Sequence, residues 1–432
     1  MVDLTSNFLG ISSPNPFWLA SAPPTDKEIN VVRAFEAGWG GVVWKTLGED
    51  PNIVNVNGPR YGALYSSDRK LIGLNNIELI TDRPLQINLD EIKRVKKDWP
   101  DRAMVVSLMV PCEESNWKNI VRKVEDTGAD GLELNFGCPH GMSERGMGAA
   151  VGQVPEYIQM VSEWCKQHSS LPVIVKLTPN ITDIRFPARA AQAGGADAVS
   201  LINTISSIIS VNLDTMSPEP SIDGWGSHGG YCGPAVKPIA MNMVAEIARD
   251  PETQKLPISA IGGVTTWRDA AEFMSLGARN VQVCTAAMTY GFKIIDELTT
   301  GLANWMQSSG YTKLDDFIGR ATPNVKDWQN LNLNYIAKAK IDQDLCISCG
   351  RCHVVCEDAS HQAITSTVNG TRRFEVIDEE CVGCNLCVSV CPVENCISME
   401  QQTSGVDART GQAINPEYAN WTTHPNNPSS VS

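Results

Sequence analysis

Two runs of cysteine carry the densest chemistry in the chain. Cys346, Cys349, Cys352 and Cys356 are followed by Cys381, Cys384, Cys387 and Cys391, which is C-x2-C-x2-C-x3-C twice over, the second copy closed by Pro392. This is the ligand spacing of two-cluster iron–sulfur proteins, in which the fourth cysteine of each run ligates the other cluster. Thiolates so arranged can hold two [4Fe–4S] cubanes close enough to exchange electrons. Structural zinc is the competing use, but it takes paired C-x2–4-C knuckles rather than three cysteines at intervals of three with a fourth beyond.

A second set of reactive residues lies upstream, where polar side chains end apolar runs. Lys45 and Lys176 each close such a run. A lysine there is costly unless it meets an anion, and two at one mouth suit the negatively charged N1/O2 side of a reduced flavin. Asn135 ends another run, and the Gly- and Pro-rich loop beyond it, Phe136-Gly-Cys-Pro-His-Gly-Met142, carries Cys138. A thiol with a pKa of about 8.5 stays protonated at neutral pH and can deliver a proton; a buried structural cysteine is the plainer alternative. Asn203-Thr204, Asn76 and Glu78 offer amide, hydroxyl and carboxylate groups to a polar heterocycle, although each alone is equally a cap or loop residue. Ile261-Gly262-Gly263 and Cys284-Thr285 end two further runs. Backbone N–H groups at such ends, with glycine allowing close approach, form a phosphate cradle. That implies a phosphate-bearing cofactor such as FMN, with a tight glycine turn as the alternative.

These residues need a scaffold that brings strand ends together. Short β-rich runs are predicted at Phe17–Ala20, Gly41–Thr46, Met104–Met109, Gly131–Asn135, Val173–Lys176, Ala198–Leu201, Ile258–Ile261 and Asn280–Val283. Amphipathic helical stretches fall between most of them, including Glu28–Ala37, Trp117–Thr127, Pro155–Gln167, Ile184–Ala193, Trp267–Leu276 and Phe292–Trp305. Such alternation indicates an α/β fold, a TIM (β/α)8 barrel with insertions, with a doubly wound sheet as the alternative. The connections Leu47–Asp101 and Ile205–Val236 are too long for simple βα loops and read as elements covering the substrate. The predicted organisation is a catalytic barrel over 1–309, a packed linker over 310–340, a two-[4Fe–4S] ferredoxin-like α+β domain over 341–400, and a polar tail over 401–432 that is poorly ordered or strapped to a neighbour.

Charge and composition narrow the partners. The chain has 35 basic and 49 acidic residues, net −14, which argues against nucleic acid or an anionic membrane surface. From Lys340 to Glu400 ten acidic residues face four basic ones; this fits a partner with a basic face, or simply a solvated acidic surface. No apolar run approaches the roughly 20 residues of a spanning helix. The start, Met1-Val-Asp-Leu-Thr, shows no secretory pattern, and the six cysteines outside the runs have no pairing rhythm, so a reducing cytoplasm is expected. Gly224-Trp-Gly-Ser-His-Gly229 matches G-x-G-x-x-G, but it follows no strand and opens no helix, so it is not read as a dinucleotide site. No other stretch is a candidate for NAD(P) or FAD binding.

Together these motifs resemble the dihydropyrimidine dehydrogenase family, and within it the bacterial FMN/iron–sulfur catalytic subunit of the NAD-dependent enzyme. The resemblance runs from Asn15-Pro16-Phe17 through both cysteine runs and rests on Leu134–Met142, Ser143–Gly148, Lys176-Leu-Thr-Pro-Asn180, Asn203-Thr204, Asn76-Ile-Glu78 and Gly262-Gly263. It implies reduction of uracil or thymine at the 5,6-double bond, with hydride passing from FMN to C6 and Cys138 protonating C5. By residue matching, Asn76, Glu78, Asn135, Asn203 and Thr204 are the expected pyrimidine contacts. Ala20, Ser21, Lys45, Thr46, Asn135, Lys176, Gly233, Gly262, Gly263, Cys284 and Thr285 are the expected flavin contacts. The resemblance also implies a separate FAD- and NAD(P)H-binding reductase subunit, in a homodimer or heterotetramer. Three positions depart from the family's large enzyme: Gly137 where it has Ser, Val151 where it has a second loop Cys, and Tyr61–Lys70, which has no clear match. Two rival readings stay open: a dihydroorotate dehydrogenase-like flavoprotein, and an electron-transfer module whose barrel does no pyrimidine chemistry.

Overall fold

The computed structural model describes residues 2–49, 54–359, 361–367, 370–402, 419–424 and 426–430. The chain divides into two compact units, Met1–Val325 and Lys326–Ser432. The boundary falls inside the stretch read from sequence as linker.

In the first unit eight parallel strands close into a barrel: β1 (Phe17–Leu19), β2 (Gly41–Leu47), β3 (Ala103–Leu108), β4 (Gly131–Asn135), β5 (Val173–Lys176), β6 (Ala198–Leu201), β7 (Ile258–Ile261) and β8 (Ala278–Val283). Their near-continuous apolar runs follow from burial on both faces. Each strand is followed by a helix: α1 (Glu28–Ala37), α2 (Leu85–Asp98), α3 (Glu114–Glu125), α4 (Pro155–His168), α5 (Arg185–Ala193), α6 (Lys237–Arg249), α7 (Trp267–Ser275) and α8 (Ile294–Ser308). A hairpin of Ser6–Phe8 and Ile11–Ser13 precedes β1, and its Phe8 and Ile11 join Trp18, Val43 and Ala103 in a small apolar cluster.

The two long connections behave differently from plain loops. The first contains α2, whose Leu85, Leu89, Ile92 and Val95 are buried at helical spacing. It also supplies the strands Tyr61–Tyr65 and Leu71–Asn76, while the second supplies Ile205–Ser207 and Gly229–Cys232. These four make one antiparallel sheet in which Asn76 pairs with Gly230 and Ile205 with Tyr231. Both insertions thus meet in a shared sheet.

The second unit is built on a two-stranded ladder, Ala337–Ile341 against Ile397–Gln401, with short helices Arg351–Asp358 and Leu386–Val390 between. Its small core gathers Cys352, Cys381, Cys387 and Cys396 around Ile341, Phe374 and Ile397. Of the predicted tail, residues 403–418 lie outside the described residues; further on, Trp421 packs on Trp328 with ring centroids 6.2 Å apart, and Ala419 accepts a hydrogen bond from Leu333.

Candidate active site

Every residue expected from sequence to contact pyrimidine or flavin, together with Cys138, lines one cleft of about 1160 Å³ at the carboxyl ends of the strands. Ala20 and Ser21 follow β1, Lys45 and Thr46 lie in β2, Asn135 and Lys176 end β4 and β5, and Asn203 and Thr204 follow β6. Gly262 and Gly263 follow β7, and Cys284 and Thr285 follow β8. The shared sheet contributes Asn76 and, just beyond its strands, Glu78 and Gly233.

The side chains are tied together in two sets, one on each wall. Asn135 Nδ2 donates to Thr46 Oγ1 at 2.9 Å, and Asn203 Nδ2 donates to Asn135 Oδ1 at 2.9 Å. Thr46 Oγ1 also meets Ser107 and Ser21. A Cβ on Gly137 would stand 2.3 Å from Asn203 Cβ, so the absence of a side chain at Gly137 is what lets Asn203 reach Asn135. On the other wall Lys45 Nζ is 2.6 Å from Glu78 Oε1 and 3.5 Å from Asp26. Arg60 stands 3.5 Å from the same Glu78 oxygen, and the Tyr61 hydroxyl donates to Glu78 Oε2. Burial, reinforced by Glu78, holds the Tyr61 phenol well above its usual range. Asn76 Nδ2 donates to the Gly230 carbonyl at 3.0 Å.

Cys138 sits in the loop after β4, buried, its thiol donating to the His140 carbonyl at 3.4 Å. Burial pushes the thiol up to about 11, against a weaker opposite pull from the His140 carbonyl bond and Lys176. The group is therefore a protonated acid at neutral pH. The His140 ring lies 3.0 Å from the Glu78 carbonyl through Nε2, and burial lowers its pKa, so the ring is neutral.

The far end of the cleft fits a phosphate. Gly233, Gly262 and Gly263 have φ of +96°, +131° and +74°, a region that side chains rarely adopt. A Cβ on Gly262 would lie 2.8 Å from Ala240 Cβ, and one on Gly263 would lie 2.8 Å from Lys237 Cβ. Lys237 is itself engaged by Asp269 and Glu272. The cradle is thus backbone-lined, as phosphate binding after barrel strands requires.

In the second unit a void of about 350 Å³ is lined by Cys356, Cys381, Cys384 and Cys387. That quartet takes three cysteines from the second run and the fourth from the first, the crossed set the spacing calls for. The Ala363 amide donates to Cys356 Sγ at 3.3 Å. Cys349 and Cys391 share a separate open groove. Among the described residues no three His, Cys, Asp or Glu side chains converge on a single-ion site; the thiols ring a space instead.

Comparison with known proteins agrees with both halves. The dihydroorotate dehydrogenase family matches residues 3–306, and the 4Fe–4S dicluster domain matches residues 339–399. The NAD-dependent dihydropyrimidine dehydrogenase subunit PreA of Escherichia coli K12 is 40% identical over 397 residues, covering 92% of this chain and 95% of that one. The chain belongs to the dihydropyrimidine dehydrogenase family. The chloroplastic NADP(+) dihydropyrimidine dehydrogenase of Arabidopsis thaliana is 41% identical over 328 residues, 74% of this chain and 77% of that one. A ligand-free DHODH structure from Eimeria tenella superposes with a TM-score of 0.62 at 21% identity, covering 74% of this chain and 92% of that one, and so shares the barrel fold. This family member is an oxidoreductase, a flavoenzyme barrel with an iron–sulfur domain. Among its described residues no helix is long and apolar enough to cross a membrane.

Among the cleft residues to which sequence reasoning gave no role are Tyr61, His140, Tyr231 and Gln282. His140 stood in the quoted motif without a role. Tyr61 and Tyr231 lie on strands of the shared sheet, which the sequence showed only as long connections. Gln282 was hidden inside a strand, where it donates to Ser259 at 2.9 Å and to Glu133 at 3.2 Å.

Proposed function

We propose that the chain reduces the 5,6-double bond of uracil or thymine to the 5,6-dihydropyrimidine, as the catalytic half of a two-protein system. FMN, when bound, would supply the hydride for C6, and two [4Fe–4S] clusters held by the cysteine runs would pass on electrons from NAD(P)H oxidised on a separate FAD-bearing subunit. The protein's own residues do the rest. Cys138 gives its proton to C5, so that hydride and proton together complete the saturated bond, and the thiolate regains a proton from solvent. Asn76, Asn135, Asn203 and Thr204 orient the pyrimidine amide edges, with Glu78 beside them. Lys45 and Lys176 would meet the electron-rich edge of the flavin, while Gly233, Gly262, Gly263 and Thr285 would hold its phosphate with backbone groups. Ala20, Ser21, Thr46 and Cys284 complete that flavin shell. A homodimer or heterotetramer is the assembly we infer for the relay.

The observation that carries this reading is a thiol kept protonated by burial in the wall of a cleft that also holds two lysines and a glycine cradle. The external reductase is supported by the position of Gly224–Gly229, which opens no helix and runs into the strand Gly229–Cys232 of the covering sheet. The dihydroorotate reading stays in view because the barrel matches that family, but an added substrate carboxylate would want a cation beyond Lys45 and Lys176, which the proposed reading gives to the flavin, and Asn76, Glu78, Asn135, Asn203 and Thr204 supply none. Anaerobic reduction of the purified protein followed by uracil, thymine or orotate decides between them. Uracil or thymine should reoxidise the flavin, whereas orotate alone doing so, or none, would overturn the proposal. Cys138→Ala should keep flavin and cluster absorbance and lose about 10²–10⁴-fold in turnover.

A further inference from the structure

Lys338 is an unusual buried cation. It lies on the strand Ala337–Ile341, only 3% exposed, and its Nζ donates to the backbone carbonyls of Asp378 and Cys381, at 2.8 and 2.5 Å. Among the described residues no carboxylate stands within ion-pair distance of it; Glu400, directly across the ladder, pairs with Lys340 at 2.9 Å instead. A buried charge balanced only by carbonyl dipoles is expensive. Its nearest chemistry is the loop of Cys381, and the adjacent Ala339 lines the void that Cys356, Cys381, Cys384 and Cys387 surround. The loop is pressed onto the strand: a Cβ on Gly383 would come within 2.2 Å of the Ala337 carbonyl.

The other cysteine run has a counterpart of different character. Arg372 donates to the carbonyls of Ser348 and Cys349 at 3.2 and 3.4 Å, and lies over the Phe374 ring. It is exposed. Each run thus has one cation on the carbonyls of its ligand loop, buried at the second run and solvated at the first.

We propose that Lys338 makes the cluster on Cys381, Cys384, Cys387 and Cys356 the easier of the two to reduce, and so sets where an electron entering the pair comes to rest. The inference depends on the two-cluster reading of the cysteine runs. Adding an electron to an already anionic thiolate cage is favoured by a nearby cation, and net charge, hydrogen bonding and burial are the levers that set such potentials. A unit charge in a low-dielectric interior acts strongly, while one at the surface is screened by water and salt. Lys338 therefore raises its cluster's potential more than Arg372 raises the other.

The test is an EPR-monitored potentiometric titration of the full chain, with iron and acid-labile sulfide measured first. A wild-type protein without two clusters' worth of iron would fail the cluster reading itself, apart from this proposal. With both clusters present, two separate reduction steps are expected. Lys338→Gln, which keeps a donor but removes the charge, should move the higher step to more negative potential and leave the lower one in place. Lys338→Arg should restore the higher step, and Arg372→Gln should shift the lower step by less. If Lys338→Gln loses iron, Lys338→Met refills the volume without a polar atom and carries the same expectation. Coincident steps in the wild type, or full iron with unmoved steps in the neutral variants, would overturn the proposal.

Discussion

Lys176 Nζ lies 3.4 Å from Glu133 Oε1 inside the barrel, with the two side chains 6% and 0% exposed. Lys176 pairs across the ladder with Asn135, so the carboxylate comes from two residues deeper in β4. Ser200 donates to the other Glu133 oxygen at 2.9 Å, and Gln282 at 3.2 Å. The lysine at the cleft floor therefore stands on a sealed carboxylate with its own hydrogen-bond donors.

Glu133→Gln is expected to cost about 3–5 kcal/mol, because removing one partner of a buried pair strands the other charge. The thermal midpoint of the flavin-free protein should fall by about 4–7 °C. A midpoint unchanged within error would show that water already reaches the pair. Replacement by an amide of similar size makes cavity formation a poor alternative cause.

Gly262→Ala tests the phosphate cradle. The residue has φ +131°, and the added Cβ would lie 2.8 Å from Ala240 Cβ, a backbone-anchored neighbour that cannot swing aside. Strain of this kind costs on the order of 1–3 kcal/mol. FMN retained per protein after gel filtration should fall at least tenfold while the iron content stays whole. Full flavin occupancy in this variant would remove the cradle from the site.

How much of this was legible beforehand follows the physics of each element. The barrel strands were readable because parallel strands buried on both faces leave near-continuous apolar runs with polar residues toward their ends, as with Lys45, Asn135 and Lys176. The covering sheet was not. Tyr61–Tyr65 pairs with its neighbour Leu71–Asn76, but that strand's other edge pairs with Gly229–Cys232 far along the chain, and such pairing leaves no local period. Helix α2 was missed inside the same insertion, although Leu85, Leu89, Ile92 and Val95 keep helical spacing. Glu133 and Lys338 were invisible for another reason. Glu133 lay in the middle of a predicted strand and Lys338 in the stretch read as linker, and only the packed structure shows that each is enclosed.

Cys138 offers a test in pH. Its thiol is raised by burial from the ordinary value of about 8.5 to about 11. A group whose folded-state pKa is raised binds more protons in the folded chain, so its stabilising contribution is complete below the unfolded value and is lost as pH climbs through the folded one. Stability should thus decline between about pH 8.5 and 11, and Cys138→Ala should flatten that decline. The same shift governs reactivity, since only the thiolate is alkylated. Iodoacetamide labelling of the Cys138 peptide, followed by mass spectrometry, should be slow at pH 8 and inflect near 11. An inflection at or below pH 8.5 would mean that the thiol is solvated rather than buried in the cleft wall.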